Sequence, residues 1–133
     1  MTTHAKAYVR VAERALAAAQ AALSAAVQEK AAFLGYHGFE SVGGAFCVSR
    51  GMSYPRGHAQ KVNAFRNATK FEKFGKQVTQ LAIEVASLRN RCLYPFPTGA
   101  GTVELPESVI TAAQVNRLVG RIESLVKRIN EVV

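Results

Sequence analysis

Apolar residues recur at helical spacing along four long stretches of the chain, and the first two lie in its N-terminal half. Thr3 can cap a first helix that runs to about Ser24, with an apolar face made largely of alanines. A second helix is expected from about Glu29 to Arg50, because one continuous helix to Arg50 would be far longer than most helices of globular domains. The pattern therefore predicts a tight turn within residues 24–30.

The other two long stretches lie in the C-terminal half, and each begins with the spacing of a capping box. Thr69 and Glu72 have this spacing, so a helix is expected from about residue 70 to residue 93. Its apolar face comprises Phe74, Val78, Leu81, Val85, Leu88 and Cys92. Thr111 and Gln114 predict a last helix over about residues 112–132. The apolar face of that helix comprises Val115, Leu118, Ile122, Leu125, Val126, Ile129 and Val132.

The segments between these helices carry residues that interrupt regular structure. Residues 51–57 form a loop by composition, and His58 begins a short helix that extends to about residue 66. Residues 95–101 contain prolines and glycines and are expected to be irregular, whereas Pro106 suits a first helical turn. No stretch has the alternation of a credible strand. The expected fold is therefore all-α, an antiparallel bundle of four main helices plus one short helix.

The length and composition agree with a single domain over residues 1–133. Hydrophobic residues make up 49% of the 133 residues, which is enough for a packed core. A chain of this length buries roughly two-thirds of the surface that it exposes when unfolded. We therefore expect one ordered domain.

The second predicted helix is unusually rich in glycine, with Gly35, Gly38, Gly43 and Gly44. Each glycine costs up to about 1 kcal/mol relative to alanine in a helix interior. So many glycines indicate that another backbone approaches this helix closely. The approaching element is either another helix of the chain or a second copy of it, and the second possibility is one reason to expect a homodimer.

The charge of the chain indicates a polyanionic partner. There are 17 Lys and Arg residues against nine acidic residues, all of them glutamates, and the formal net charge is +8. Between Arg56 and Arg91 the chain has eight Lys or Arg residues and only two Glu residues. A surplus of this size favours nucleic acid or an acidic protein as the partner. The absence of Asp argues against a magnesium or calcium site, and we predict neither a metal nor a cofactor.

The cysteines and the hydropathy of the chain favour a cytoplasmic protein. Cys47 and Cys92 are far apart and form no Cys-x-x-Cys pattern, so we expect two buried free thiols in a reducing compartment. The N-terminus lacks the continuous apolar stretch of a signal peptide. No segment approaches the roughly 20 uninterrupted apolar residues of a membrane span.

The strongest candidate for a binding or catalytic site is a polar cluster at the end of the third long helix. Arg89, Asn90, Arg91 and Tyr94 lie immediately before Pro95, which ends the helix. Arginines suit the negative end of a helix dipole, and that role alone would explain both of them. The helix dipole does not explain the Asn90 amide and the Tyr94 phenol. Together with the guanidinium groups, these side chains can hold a phosphate or a base.

Other sites of known chemistry are absent or less specific. There is no phosphate-binding glycine loop, and the three histidines lack the spacing of zinc ligands. His37 and Glu40 lie three residues apart and share a helix face. A buried structural pair is a more frequent reading of such residues than a catalytic couple. His58 either orders the loop before it or takes part in function.

Taken together, three segments make the chain resemble the HEPN family of small all-α prokaryotic proteins. Tyr36 to Ser41 is similar to the family's aromatic-rich helix with a Glu, and His58 is similar to the His that opens its short third helix. Arg89 to Pro95 is similar to the family's Arg-Asn-x-x-x-His signature at the end of a long helix. The resemblance covers the chain from about Tyr8 to Val132.

The resemblance implies two kinds of function. Many members of the family are metal-independent RNases, often toxins of toxin–antitoxin pairs, which act as homodimers with the active site in a cleft between the two copies. Others associate with small nucleotidyltransferase proteins, or bind nucleotides or RNA. This chain keeps Arg89 and Asn90 of the signature but has Tyr94 in place of the His. Tyrosine, with a reference pKa of about 10 against about 6.5 for histidine, moves protons poorly near neutral pH.

Three hypotheses follow from these residues. In the first, a non-catalytic HEPN protein binds nucleotide or RNA, or a nucleotidyltransferase partner, through Arg89, Asn90, Arg91 and Tyr94, with His37, Glu40 and His58 nearby. In the second, the protein is an active RNase in which Arg89 holds the phosphate and Tyr94 or His58 carries the proton. In the third, the cluster only caps a helix, and Arg89 pairs with Glu40 inside a structural module.

Overall fold

The computed structural model describes residues 3–133 of the chain, most of them helical. Four long helices are α1 (His4–Ser24), α2 (Gln28–Ser49), α4 (Gly75–Leu93) and α6 (Ala112–Asn130). A shorter helix, α3 (His58–Ala68), lies between α2 and α4, and a single turn, α5 (Pro106–Val109), precedes α6. The predicted all-α bundle is confirmed. None of the helices that the structure describes is long and apolar enough to span a membrane.

Helix α2 is the centre of the bundle. It contacts each of the other five helices, and fifteen of its 22 residues are buried. A helix that is apolar on all sides suits such an interior position, whereas α1, α4 and α6 each bury one face against it. The largest buried side chains of α2 are Phe39 and Phe46, which are fully inaccessible to solvent.

The glycines of α2 are explained by close neighbours in the same chain. An added Cβ at Gly43 would lie 2.7 Å from the ring of Phe65 and from the hydroxyl oxygen of Tyr54. At Gly44 it would lie 2.7 Å from the ring of Tyr8. At Gly43 and Gly44 the close approach is therefore made by aromatic side chains of α1, α3 and the loop after α2, and not by another backbone as predicted. The glycines give no support of their own to the predicted homodimer.

The predicted turn between the first two helices is present. Thr3 caps α1 by accepting a hydrogen bond from the backbone N–H of Lys6 at 3.1 Å. The turn places Ala26 in the left-handed region, with φ of 59°, before α2 begins at Gln28. These features confirm that a turn, and not a continuous helix, joins α1 to α2.

The predicted start of the third long helix is wrong by about five residues. The Thr69 hydroxyl donates back to the carbonyl of Phe65 at 2.8 Å and so completes α3, which extends to Ala68, instead of capping α4. A turn from Thr69 to Phe74 follows, and α4 begins only at Gly75. The apolar face predicted for this helix is nevertheless confirmed, because all six of its members are buried.

The prediction for the last helix is confirmed apart from its end. The Thr111 hydroxyl accepts from the backbone N–H of Gln114 at 3.1 Å, as in the predicted cap. Six of the seven predicted core residues are buried, whereas Val132 lies beyond the helix end and is 47% exposed.

The expectation that no stretch of the chain forms a strand is wrong for the segment before α5. Residues Phe96–Pro97 pair with Val103–Glu104 in a two-residue antiparallel ladder, which the structure shows as β1 and β2. Tyr94 adopts an extended conformation, as expected for a residue before proline. Pro106 occupies the first turn of α5, as predicted.

We expect Gly43→Ala to destabilise the protein and Gly120→Ala to stabilise it. Phe65 is fully buried and cannot move away from a new methyl group, so Gly43→Ala should cost about 1–3 kcal/mol of unfolding free energy. An added Cβ at Gly120 meets no atom of the described chain within 4 Å, so alanine there should add about 0.5–1 kcal/mol. Urea unfolding of both variants checks this, and a gain of stability from Gly43→Ala would contradict the packing described for α2.

We also expect a loss of stability at alkaline pH that depends on Cys47. Both cysteines are free and buried, and burial raises the pKa of the Cys47 thiol from 9.0 to about 11. Below pH 9.0 the thiol is protonated in both the folded and the unfolded chain, so its ionisation does not lower the unfolding free energy. Between the two values the unfolded chain loses the proton first, which lowers the unfolding free energy by about 2–3 kcal/mol. The stability difference between wild type and Cys47→Ala should shrink by that amount between about pH 8 and pH 11.

An unchanged stability difference over this pH range would show that the Cys47 thiol is not held in its protonated form by burial.

Candidate functional site

A cleft of about 490 Å³ lies between α3 and α4, with a side chain of α2 at its inner end. Its polar lining residues are Tyr36, His58, Asn63, Arg66, Arg89 and Asn90. Small and aliphatic side chains form the remaining lining: Ala59, Val62, Ala82, Ile83 and Ala86. Cationic and hydrogen-bonding groups are thus mixed with apolar surface, an arrangement that suits a ligand with both a charged and a flat apolar part.

The buried carboxylate of Glu40 holds the inner end of this cleft together. Its Oε2 accepts a hydrogen bond from the Tyr36 hydroxyl at 2.7 Å, one helical turn earlier on α2. The same oxygen lies 2.8 Å from Nδ1 of His58, the first residue of α3. The Tyr54 hydroxyl donates to the backbone carbonyl of Glu40 at 2.6 Å. Helix α2, helix α3 and the loop between them are therefore joined at one residue.

This arrangement fixes the orientation of the His58 ring. Because Glu40 Oε2 already accepts from Tyr36, it acts as an acceptor toward His58 as well, which places a proton on Nδ1. In the neutral imidazole the second nitrogen, Nε2, then carries a free lone pair. About half of the His58 side chain is exposed. Nε2 is therefore the nitrogen through which His58 can bind a ligand or exchange a proton.

Arg89 lies beside the ring of Tyr36. Its guanidinium carbon is 5.7 Å from the centroid of the Tyr36 ring, and the His58 ring centroid is 5.8 Å from the same ring. The Nε atom of Arg89 is buried and has no hydrogen-bond partner within residues 3–133. Burial raises the pKa of the Tyr36 hydroxyl, Glu40 raises it further and Arg89 opposes the shift. Tyr36 therefore stays a neutral hydrogen-bond donor.

The structure brings together some of the predicted site residues. Arg89, Asn90 and His58 line one cleft, and Glu40 lies behind His58 as its hydrogen-bond partner. These residues come from three different helices, so their meeting depends on the packing of α2, α3 and α4. The cleft therefore combines the polar cluster at the end of α4 with the residue that begins α3.

The remaining predicted site residues do not line the cleft. His37 is exposed while Glu40 is buried, so the two do not form a pair, although they are three residues apart. Arg91 lies about 200° around the axis of α4 from Arg89, which turns its side chain toward solvent. Tyr94 follows the end of α4 in an extended conformation and is 70% exposed.

The ion pair between Arg89 and Glu40, expected if the cluster were purely structural, is absent. Glu40 is hydrogen-bonded to Tyr36 and His58 instead, and the guanidinium of Arg89 forms no ion pair with any residue that the structure describes. The Tyr36 side chain contacts both groups, with its hydroxyl on Glu40 and its ring beside the Arg89 guanidinium.

Sequence reasoning did not assign a role to Tyr36, Asn63 or Arg66 in the site. Tyr36 and Glu40 are four residues apart on one helix, a spacing that places their side chains together. The spacing of Tyr36 and Glu40 therefore predicts their hydrogen bond, whereas the spacing of His37 and Glu40 predicts a pair that does not form. Asn63 and Arg66 follow His58 on α3 at about one and two turns, and only the packing of α3 against α4 shows that they reach the cleft.

Within the part of the chain that the structure describes, no group of three His, Cys or Glu side chains is arranged to hold a metal ion. Compared with protein-family models, with curated proteins and with solved structures, the chain matches none of them. The resemblance to HEPN proteins therefore stays a prediction that rests on the residues named above.

We expect Glu40→Ala to destabilise the fold more than the matched variant Glu13→Ala. Removing the Glu40 carboxylate leaves the buried Tyr36 hydroxyl without its acceptor, at a cost of about 1–3 kcal/mol. Glu13 is an exposed glutamate of α1, and its truncation should change stability by no more than about 0.5 kcal/mol. Thermal and urea unfolding of the two variants measure the difference, and equal effects would show that Glu40 does not organise the inner end of the cleft.

Proposed function

We propose that this protein is a non-catalytic HEPN-like protein whose cleft binds the phosphate group of a nucleotide or of RNA. The observation that supports the proposal best is the position of Arg89, which lines the cleft with His58 and forms no ion pair with any residue that the structure describes. An unpaired guanidinium in a cleft is a strong site for a phosphate, which it can hold with two parallel hydrogen bonds. The net charge of +8 favours the same class of ligand.

The chemistry of the cleft favours a nucleotide over a simple anion. The aliphatic lining from Val62, Ala82 and Ile83 offers contact to a base or a sugar, whereas Asn63 and Asn90 offer amide donors and acceptors to its edges. The Arg89 guanidinium can balance the charge of the phosphate. A homodimer and a nucleotidyltransferase partner are also part of the proposal. Only the resemblance to HEPN proteins supports these two partners.

A metal-independent RNase is the second candidate, and the hydrogen bond between Glu40 and His58 favours it. A histidine oriented by a carboxylate through Nδ1 has Nε2 available for general acid–base chemistry. If the protein cleaves RNA, His58 and not Tyr94 carries the proton, because Tyr94 lies outside the cleft. The geometry therefore supports His58 over Tyr94 as the proton carrier of this second candidate.

We expect Arg89→Ala to weaken nucleotide binding and Arg91→Ala to leave it nearly unchanged. The two arginines lie two residues apart on the same helix end, but only Arg89 lines the cleft. Loss of a charge-assisted contact to phosphate should raise the Kd for a nucleoside monophosphate by about 10- to 100-fold. Titration calorimetry measures both variants, with melting temperatures as the control for folding. Equal Kd values for wild type and Arg89→Ala would contradict the proposed site.

Labelled RNA incubated with the protein in EDTA separates the two candidate functions. The proposed function predicts that wild type, His58→Gln and Tyr94→His all leave the RNA intact. RNA cleavage by wild type that is lost in Arg89→Ala and in His58→Gln would establish the RNase instead. Cleavage that survives His58→Gln but disappears in Tyr94→Phe would restore the role of Tyr94.

A further inference from the structure

A second cavity, of about 690 Å³, continues the cleft along α3 and α4 toward the beginning of α4. Asn63 and Arg66 line both cavities, so the two are neighbours along α3. The lining residues of the second cavity are Asn63, Arg66, Asn67, Lys70, Gly75, Lys76, Thr79 and Gln80. We refer to this second cavity as the α3–α4 groove.

The charge of the α3–α4 groove is entirely positive. Arg66, Lys70 and Lys76 line it together with amide and hydroxyl side chains, and no carboxylate is among the lining residues. The cavity between α1 and α6 differs, because Glu13 and Glu123 lie in its lining. A polyanion is therefore complementary to the α3–α4 groove and not to the α1–α6 cavity.

An exposed aromatic ring follows Lys70, one of the lining residues of this groove. Phe71, in the turn between α3 and α4, is 93% exposed, and no core contact explains it. The ammonium group of Lys70 is 5.5 Å from the centroid of its ring. Glu72 in the same turn has its carboxylate 3.9 Å from the guanidinium of Arg50. A free aromatic face beside lysines is the combination by which proteins hold single-stranded nucleic acid, because a base stacks on the ring while cations contact the phosphates.

The stretch of α4 that lines the cleft and the groove is longer than one nucleotide. Lys76 and Arg89 are thirteen residues apart on α4, which corresponds to about 20 Å. At a stacked spacing of about 3.4 Å per nucleotide, roughly six nucleotides span this distance. A nucleotide whose phosphate contacts Arg89 therefore cannot reach Phe71.

We propose that a single-stranded nucleic acid segment of about six nucleotides lies along the α3–α4 groove, with one phosphate in the cleft at Arg89 and one base stacked on Phe71. Arg66, Lys70 and Lys76 contact the phosphates between these two points. The inference rests on the proposed function and deepens it, because it makes a polynucleotide strand, and not a free nucleotide, the ligand of the whole surface.

The chain contains no tryptophan, so Phe71→Trp introduces a single fluorescent reporter at the proposed stacking position. The probes are an unstructured RNA of about eight nucleotides, a DNA of the same sequence and adenosine monophosphate. The RNA is expected to quench the indole of Phe71→Trp, whereas adenosine monophosphate, bound at Arg89, is not. Phe96→Trp is the matched control, because Phe96 is exposed but lies beyond the opposite end of α4, and its indole should not be quenched.

Affinities of three further variants complete the test. Phe71→Ala should raise the Kd for the RNA by about 5- to 100-fold, as for a lost stacking contact, and leave the Kd for adenosine monophosphate unchanged. Lys70→Gln and Lys76→Gln should each reduce the slope of log Kd against log salt concentration by about 0.7. Arg10→Gln on α1 removes one exposed cation far from the groove and should leave that slope unchanged.

The outcomes separate failure of this inference from failure of the proposed function. If adenosine monophosphate binds through Arg89 but the RNA neither binds more tightly nor quenches Phe71→Trp, the α3–α4 groove is not a binding surface and the proposed function stands. If neither probe binds, the proposed function fails, and this inference fails with it. Equal quenching by DNA and RNA supports a groove for single strands of either kind, and quenching by RNA alone supports a groove specific for RNA.

Discussion

The buried carboxylate of Glu40 is the interaction on which the rest of the site depends. A carboxylate in a protein interior is costly unless hydrogen bonds replace the lost water, and here two side chains donate to one of its oxygens. Tyr36 is thereby fixed on α2, and His58 is fixed at the start of α3. The Arg89 guanidinium then lies beside the Tyr36 ring without a carboxylate of its own. A single buried group thus orients an imidazole and leaves a guanidinium available to a ligand.

The glycines of α2 contribute to the same arrangement one helical turn further along the face that carries Glu40. Because Gly43 and Gly44 have no side chains, Tyr54, Phe65 and Tyr8 pack directly against the backbone of α2. Tyr54 can then donate to the Glu40 carbonyl, and Phe65 holds α3 close to α2. The position of α3 relative to α4 defines both the cleft and the α3–α4 groove. The proposed binding surface therefore has its physical origin in the packing of the central helix.

Much of the fold was predictable from the periodicity of the chain, whereas the site was predictable only in part. The apolar faces of α4 and α6 and the caps at Thr3 and Thr111 follow from local spacing, which is why they were predicted correctly. The start of α4 was not predictable from the capping-box pattern, because the Thr69 hydroxyl bonds to the preceding helix instead. Local sequence does not distinguish between these two hydrogen bonds.

The same limit applies to the cleft. Arg89, Asn90, His58 and Glu40 could be named from residue type and spacing, but their partners depend on tertiary packing. His37 and Glu40 have a suitable spacing, yet α2 exposes the first and buries the second. Tyr94 occupies the signature position of the family that the chain resembles, yet it lies outside the cleft. Which histidine meets the carboxylate is decided by the contact of α3 with α2, and no short motif contains that information.

The most direct test is a ¹H–¹⁵N NMR titration of the imidazole groups with adenosine monophosphate. The chain has three histidines, His4, His37 and His58, so two of them act as internal controls. If the cleft binds phosphate beside Arg89, the resonances of His58 Nε2 will shift on titration while those of His4 and His37 stay unchanged, and the shift will be lost in Arg89→Ala. Unchanged His58 resonances at saturating nucleotide, or equal shifts of all three histidines, would contradict the proposed site.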